Sequence, residues 1–289
     1  MFQITRTTRI LKDQERELKD KQETALWDIR AQRYGHTGWA DQVIYAYDQQ
    51  ARLSAIKKVI DDLDCGRSLA LDFGTCSGDF ANLLSQGFER VIAFDISESV
   101  IKVARNRYHK GENIEFVSGE DIKQLAIGDN TLDIILSVTV LDHILDNVKF
   151  GQILSRFHAL LKNKGFVVAL EYALGFEKPS NSYQRFMQLK EWTSVFNSMG
   201  FYLHKCYGFY HPVEVPSGSY LEYVKSLGIV RAKIFRLLTR NRAIHLVGKH
   251  LSELASKSLQ GKQDFFWEVT ARQSPLKIMI FKKIEHAMA

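Results

Sequence analysis

Apolar and polar positions change their period twice along this chain. Residues 8–33 are rich in Glu, Lys, Gln and Arg, with sparse apolar positions at Ile10, Leu11, Leu18, Ala25, Leu26 and Ile29. That spacing predicts an exposed, weakly amphipathic helix. Two glycines in Tyr34–Trp39 then break the helix, and a second one is expected from Asp41 to Leu63, ended by Cys65-Gly66-Arg67. From Ser68 onwards short apolar runs alternate with segments of helical period. Strands are expected at Leu69–Phe73, Val91–Asp95, Ile114–Ser118, Leu132–Val138, Gly165–Tyr172 and Phe201–Phe209. Helices are expected between them at Gly78–Gln86, Glu98–Tyr108, Ile122–Leu125, Val148–Leu161 and Tyr183–Ser198. After Tyr210 the regularity fades. Residues 219–258 read as helical and basic, and two β-like runs follow, Phe265–Arg272 and Leu276–Lys283, either of which could complete the sheet.

Repeated βαβ units imply an α/β fold with an open, doubly wound sheet and ligands at the carboxyl ends of its strands. The expected organisation is an N-terminal helical cap or lid over residues 1–52, a core over 53–210, and a helical, basic insertion with the final strand or strands over 211–289.

Composition narrows the function little. With 45% apolar and 25% charged residues the chain is of ordinary globular type, which excludes wholesale disorder. Lys and Arg exceed Asp and Glu by 39 to 33, an excess that keeps a protein soluble and argues weakly for any anionic partner. Cys65, Cys76 and Cys206 lie far apart with no CxxC pair, so neither a zinc site nor a disulfide framework is expected, and a cytoplasmic location fits. The first twenty residues lack the apolar stretch of a signal peptide. No apolar run of membrane-spanning length occurs; the longest candidate, Leu132–Leu145, is cut by Asp133, Asp142 and His143.

The chemistry concentrates in Leu69-Ala70-Leu71-Asp72-Phe73-Gly74-Thr75-Cys76-Ser77-Gly78-Asp79. A buried strand ends in an acid, and a turn of small residues opens a helix whose free N–H groups face any ligand there. A dinucleotide site would place a pyrophosphate at that helix end. Here the GxGxxG pattern is absent, and Asp72 would repel a pyrophosphate but attract a cationic group. This loop resembles motif I of class I S-adenosylmethionine-dependent methyltransferases, an acid followed by three alternating glycines. Asp72, Gly74 and Gly78 match it, and Cys76 replaces the middle glycine.

The resemblance covers roughly residues 53–205. It implies a Rossmann-like, mostly parallel, seven-stranded sheet, S-adenosyl-L-methionine as cofactor and S-adenosyl-L-homocysteine as product. Asp95, ending Val91-Ile92-Ala93-Phe94-Asp95 about 20 residues past the glycine loop, would take the ribose hydroxyls, with Ile96 beside it. Ser97 and Glu98 can cap the next helix and leave Asp95 free. After the third strand, Asp121 (or its neighbour Glu120) would accept from the adenine amino group and the Ile122 N–H would meet the ring. Thr75, Ser137 and Tyr34 complete the expected cofactor contacts. The run Ser137-Val138-Thr139-Val140-Leu141-Asp142-His143 would end near the transferred methyl, and Lys162-Asn163-Lys164-Gly165 resembles the family's turn before its fifth strand.

Methyl transfer from a sulfonium requires alignment and exclusion of water, and a base only when the acceptor is a hydroxyl. Base candidates are His143, Asp142 and His36. His143 has the best placement and a suitable pKa, but a histidine opening a helix can equally be a packing residue. His36 lies in a glycine-flanked stretch that could close as a lid with Trp27, Tyr34 and Trp39, or form an ordinary helix-to-helix turn. The expected acceptor is a small or sugar-containing molecule, methylated at oxygen. The segment 225–249, with Arg231, Lys233, Arg236, Arg240, Arg242, His245 and Lys249, reads as a solvated face or as a contact for phosphate or a membrane surface. Nothing resembles a nucleic-acid module, and no metal site is expected. The rival readings are a nicotinamide-dependent oxidoreductase and a catalytically silent, methyltransferase-like scaffold.

Overall fold

The computed structural model describes residues 24–38, 42–109, 111–175, 177–209 and 276–284. Helix α1 covers residues 24–34. It is followed by α2 (Gln42–Asp61), β1 (Leu69–Phe73), α3 (Asp79–Ser85), β2 (Arg90–Asp95), α4 (Glu98–Arg107), β3 (Ile114–Ser118) and β4 (Leu132–Val138). Then come α5 (Asn147–Leu160), β5 (Leu161–Leu174), the short β6 (Met187–Gln188), α6 (Leu189–Ser198), β7 (Phe201–Gly208) and β8 (Leu276–Lys283).

Among the described residues, seven strands form one sheet in the order β3-β2-β1-β4-β5-β8-β7, with β6 paired to the far end of β5 as an eighth. β1 to β5 run parallel, and β8 lies antiparallel between β5 and β7. The strand order reverses between β1 and β4, which opens a crevice at their carboxyl ends. Alternation along the strands serves two layers. Ala70, Ala93, Leu136 and Val168 pack against Ile56 and Val59 of α2 and Phe80 and Leu84 of α3. Leu71, Ile92, Ile135 and Val167 pack against Leu154 and Phe157 of α5 and Trp192 and Phe196 of α6.

The expected α/β architecture is therefore the observed one. Leu276–Lys283 is a strand of the sheet; Phe265–Arg272, the segments 219–258 and 225–249, Trp39 and residues 8–23 lie outside the described residues. Helix α2 runs unbroken through residues 52 and 53, the expected edge of the N-terminal cap, and its second half belongs to the core.

Three element boundaries differ for local reasons. The helix expected from Tyr183 begins only at Leu189. Upstream, the Asn181 side chain accepts from the N–H groups of Tyr183 and Gln184 and closes a turn, a conformation that competes with helix. A reciprocal cap between Gln188 and Glu191 then starts α6. Ile122–Gln124 is a single tight turn, capped by Asp121. β5 begins at Leu161, directly after α5, and its register on β4 jumps from Leu132↔Leu161 to Ile134↔Phe166. Lys164 takes the left-handed conformation inside that bulge, at φ 69°.

Candidate active site

β1 delivers its last residues beside β2. The N–H groups of Gly74 and Thr75 both donate to the Phe94 carbonyl, at 2.8 and 2.9 Å, so the loop crosses the end of β2. Gly74 and Gly78 have φ of 78° and 81°. A Cβ on Gly74 would lie 2.3 Å from a Val140 methyl, and one on Gly78 would lie 3.0 Å from Ala104 and Tyr108. The close approaches that need glycine here are to the protein's own side chains. Cys76 adopts φ 51° without that freedom.

Two acids anchor the loop from below. Asp72 is buried and accepts from the Thr75 hydroxyl at 2.6 Å. Asp95 accepts from the N–H of Cys76 at 3.1 Å and of Ser97 at 3.0 Å. Burial pushes the Asp72 carboxyl up to about 7, against the lowering effect of Thr75. Burial likewise pushes Asp95 up to about 6, offset by the N–H donors of Ser97, Cys76 and Ile96 and augmented by the charge of Asp28. A cation brought to these groups would favour their ionised forms and release protons.

The ends of β4 and β5 form a second polar centre. Glu171, wholly buried in β5, accepts from the N–H of Val140 (3.2 Å), Leu141 (3.0 Å) and Asp142 (3.4 Å) and from the Ser137 hydroxyl (3.3 Å). Burial and the charge of Asp142 push its carboxyl well above the usual range. The Asp142 carboxylate is also fully buried. One oxygen accepts from Gln184 at 2.7 Å; the other has no hydrogen-bond partner and lies 3.7 Å from Nε2 of His143. The other ring nitrogen of His143, Nδ1, meets the Tyr183 carbonyl at 2.7 Å. A carbonyl can only accept, so Nδ1 carries the hydrogen, and in the neutral ring the lone pair is on Nε2.

The N-terminal helices cover this edge. Along α1, Trp27 packs its ring 5.0 Å from His143 at one place, and Asp28 accepts from the Ser97 hydroxyl at 2.5 Å at another. Past the helix, Thr37 donates to the Cys76 sulfur from its N–H (3.2 Å) and its hydroxyl (2.8 Å). Arg30 holds this segment through the carbonyls of Thr37 and Gly38. From α2, Tyr45 bonds Ser77 at 2.9 Å, Gln49 donates to Asp79 at 3.0 Å and Arg52 donates to the Thr139 hydroxyl at 3.0 Å. Asp79 also accepts from Ser77, Arg107 and Tyr108, and so ties α2, the loop and α4 together.

Asp72, Gly74, Thr75, Gly78, Asp95 and Ile96 thus gather at the ends of β1 and β2, and Asp142 and His143 at the end of β4. Asp121 is half-exposed past β3 and accepts from the Lys123 N–H at 2.8 Å. The Ile122 side chain is buried in the core. The Ser137 hydroxyl is committed to Glu171. His36 is buried, with its ring centroid 3.4 Å from that of Tyr45 in α2 and 6.0 Å from that of Tyr34, and Trp27 meets His143. The sequence reading passed over Asp28, Arg52 and Glu171. Only Glu171 carried a signal, as the single acid within the apolar run Phe166–Leu174.

A cavity of about 290 Å³ at the opposite edge of the sheet is lined by Asp64, Cys65, Asp133, Lys162 and Lys164. Asp133 and Lys162 pair there at 2.8 Å, and Asp133 further accepts from Ser68 and Leu69, so these charges are spent on holding β1, β4 and β5 together. No described helix is long and apolar enough to cross a membrane.

Residues 71–169 match the family described as "Methyltransferase domain". A curated protein of Mycolicibacterium smegmatis, named "Probable S-adenosylmethionine-dependent methyltransferase", is 23% identical over 152 residues, or 51% of this chain. The chain spans 57% of that relative's length. Among solved structures, phosphoethanolamine N-methyltransferase 2 of Haemonchus contortus in complex with S-adenosyl-L-methionine aligns over 90% of this chain and 60% of its own, with a TM-score of 0.56 and 18% identity. The cyclase SpnF aligns over 82% of this chain and 81% of its own, with a TM-score of 0.51 and 15% identity. At such identities the structural likeness is one of fold.

Proposed function

We propose that residues 71–169, which match a methyltransferase domain, are a class I S-adenosylmethionine-dependent methyltransferase domain, and that this protein transfers a methyl group to oxygen on a small or sugar-containing acceptor. The cofactor supplies an electrophilic methyl on a sulfonium, with a neutral thioether as leaving group. The chain's residues suit it. Asp72, buried and with no cation in contact among the described residues, is matched to a cationic group at the end of β1. Asp95, fixed by two backbone N–H groups, presents its remaining lone pairs to a ribose. Ile96 offers a half-buried apolar surface beside it. The pair of acids at adjacent strand ends is the observation that carries the donor side of this reading.

On the acceptor side, Tyr183 holds the His143 tautomer whose Nε2 can take a hydroxyl proton. The imidazolium so formed is steadied by Asp142, 3.7 Å away, whose free oxygen faces it. Gln184 and Glu171 hold Asp142 and its turn in place. Trp27 excludes water from one side of the ring. In this reading His36 and Tyr34 position the covering segment and take no proton.

Two measurements test the proposal. Calorimetric titration with S-adenosylhomocysteine is expected to show micromolar binding; a folded protein that binds NADH and not this ligand would overturn the donor assignment. With S-adenosylmethionine and a panel of hydroxyl acceptors, His143→Ala is expected to lower kcat by about 100-fold and to leave S-adenosylhomocysteine affinity unchanged. Unaltered turnover would make His143 a packing residue.

A further inference from the structure

We propose that Asp28, on the covering helix α1, is a second carboxylate for the cofactor's ribose diol, so that this helix is part of the binding site and not merely its cover. The proposal rests on the S-adenosylmethionine reading above. Its basis is the way Ser97 joins two acids from distant parts of the chain. The Ser97 N–H donates to one oxygen of Asp95 at 3.0 Å, and the Ser97 hydroxyl donates to one oxygen of Asp28 at 2.5 Å. Both carboxylates therefore stand at the end of β2, within hydrogen-bond reach of a single residue. They are close enough for the charge of Asp28 to act on Asp95.

Among the described residues no cation pairs with either of these two acids. The second oxygen of Asp28 accepts no hydrogen bond among the described residues, and Asp28 forms no ion pair there. Arg30, two residues on, is turned away to the carbonyls of Thr37 and Gly38. Two acids held together without a cation form an arrangement that is unfavourable alone and favourable once donors arrive. A vicinal diol brings two O–H donors on adjacent carbons, one for each carboxylate. The serine between them is already fully used, because its hydroxyl also accepts from the Val100 N–H as the cap of α4. It can fix the acids but cannot replace the diol.

The consequence is a coupling between binding and covering. Cofactor held by both acids ties α1 to β2, while Trp27, one residue before Asp28, closes on His143. The helix that shields the acceptor base is then seated by the donor's ribose.

Calorimetry with three ligands tests this. S-adenosylhomocysteine and its 2′-deoxy and 3′-deoxy counterparts are titrated into the wild type and Asp28→Asn. Asparagine keeps a carbonyl for Ser97, so the helix stays docked, and thermal melting checks this. Asp28→Asn is expected to bind S-adenosylhomocysteine about tenfold more weakly, and the loss is expected to shrink to less than about twofold for the deoxy ligand that lacks the hydroxyl facing Asp28. An equal loss for all three ligands, or no loss for any, would overturn the proposal while leaving the cofactor reading intact. A wild type that ignores S-adenosylhomocysteine would overturn both.

Discussion

The ends of β1 and β2 and the ends of β4 and β5 lie side by side on one edge of the sheet, and they are built in opposite ways. At the first, the two strand-end acids hold their loop through near neighbours and backbone. Thr75 bonds an acid three residues before it, and Cys76 bonds one 19 residues after it, within one βαβ unit. At the second, the turn Val140–Asp142 is held by Glu171, 29 to 31 residues away, and His143 is oriented by a carbonyl 40 residues away. The bonds between acids and loop in the first centre are local, and the covering segment adds longer ones from Thr37 and Tyr45. The second is assembled by tertiary contact and depends on a buried carboxyl whose charged form the fold disfavours.

The sharpest way to break this contrast is at Glu171. Glu171→Leu removes the acceptor of four donors; the Ser137 hydroxyl can turn and Val140 is half-buried, which leaves the N–H groups of Leu141 and Asp142 without an acceptor in a buried place. Its expected cost is about 3 kcal/mol in urea unfolding, from two orphaned donors at about 1–3 kcal/mol each. Glu171→Gln keeps the accepting oxygen and is expected to cost under about 1 kcal/mol, because the native carboxyl is already pushed toward its neutral form. If both substitutions cost the same, Glu171 is not the organiser of this turn.

Asp95 measures the other centre. Asp95→Ala removes a fixed acceptor of charged hydrogen bonds, and S-adenosylhomocysteine is expected to bind about 50-fold more weakly, or ~2.3 kcal/mol. The pH dependence sharpens this. Folded Asp95 and Asp72 titrate near 6 and 7, above the ordinary aspartate value near 4. Their contribution to folding is therefore fully present below about pH 4 and is lost as pH rises through 6 and 7. Ligand affinity moves the other way, since the ionised acids bind best. From Asp95 alone, affinity is expected to rise about tenfold between pH 5 and 7, and Asp95→Asn is expected to flatten that part of the profile. A wild-type affinity independent of pH would show that these acids do not meet the ligand.

The same contrast explains what could be read from the chain. Strand-end acids and left-handed glycines announce themselves locally, so Leu69–Gly78 and Val91–Asp95 were legible as strands that end in acids beside a tight strand-to-helix turn. What the glycines are for was not legible, because Val140, Ala104 and Tyr108 arrive from other elements. Tyr183–Gln188 has helical periodicity, but Asn181 and the Arg185 N–H bond to the Asp142 carbonyl hold it extended against the end of β4. Asp28 sits among charged residues on an exposed helix, and no pattern separates it from its neighbours until Ser97 is brought beside it.

Cys76 stands where the two building styles meet, and it sets the smallest expected effect. It occupies a left-handed position that suits glycine, yet its sulfur accepts both donors of Thr37 from the covering segment. Cys76→Gly relieves about 1 kcal/mol of backbone strain and restores a similar amount of unfolded-state entropy. Stability is therefore expected to change by less than about 0.5 kcal/mol, or ~2 °C in Tm. Affinity for S-adenosylhomocysteine is expected to fall about threefold, because Thr37 loses its anchor and the covering segment loosens. Cys76→Ser keeps an accepting atom and is expected to retain most of the affinity. If instead Cys76→Gly binds more tightly than the wild type, the sulfur obstructs the loop, and Thr37 merely shields a side chain that the site would do better without.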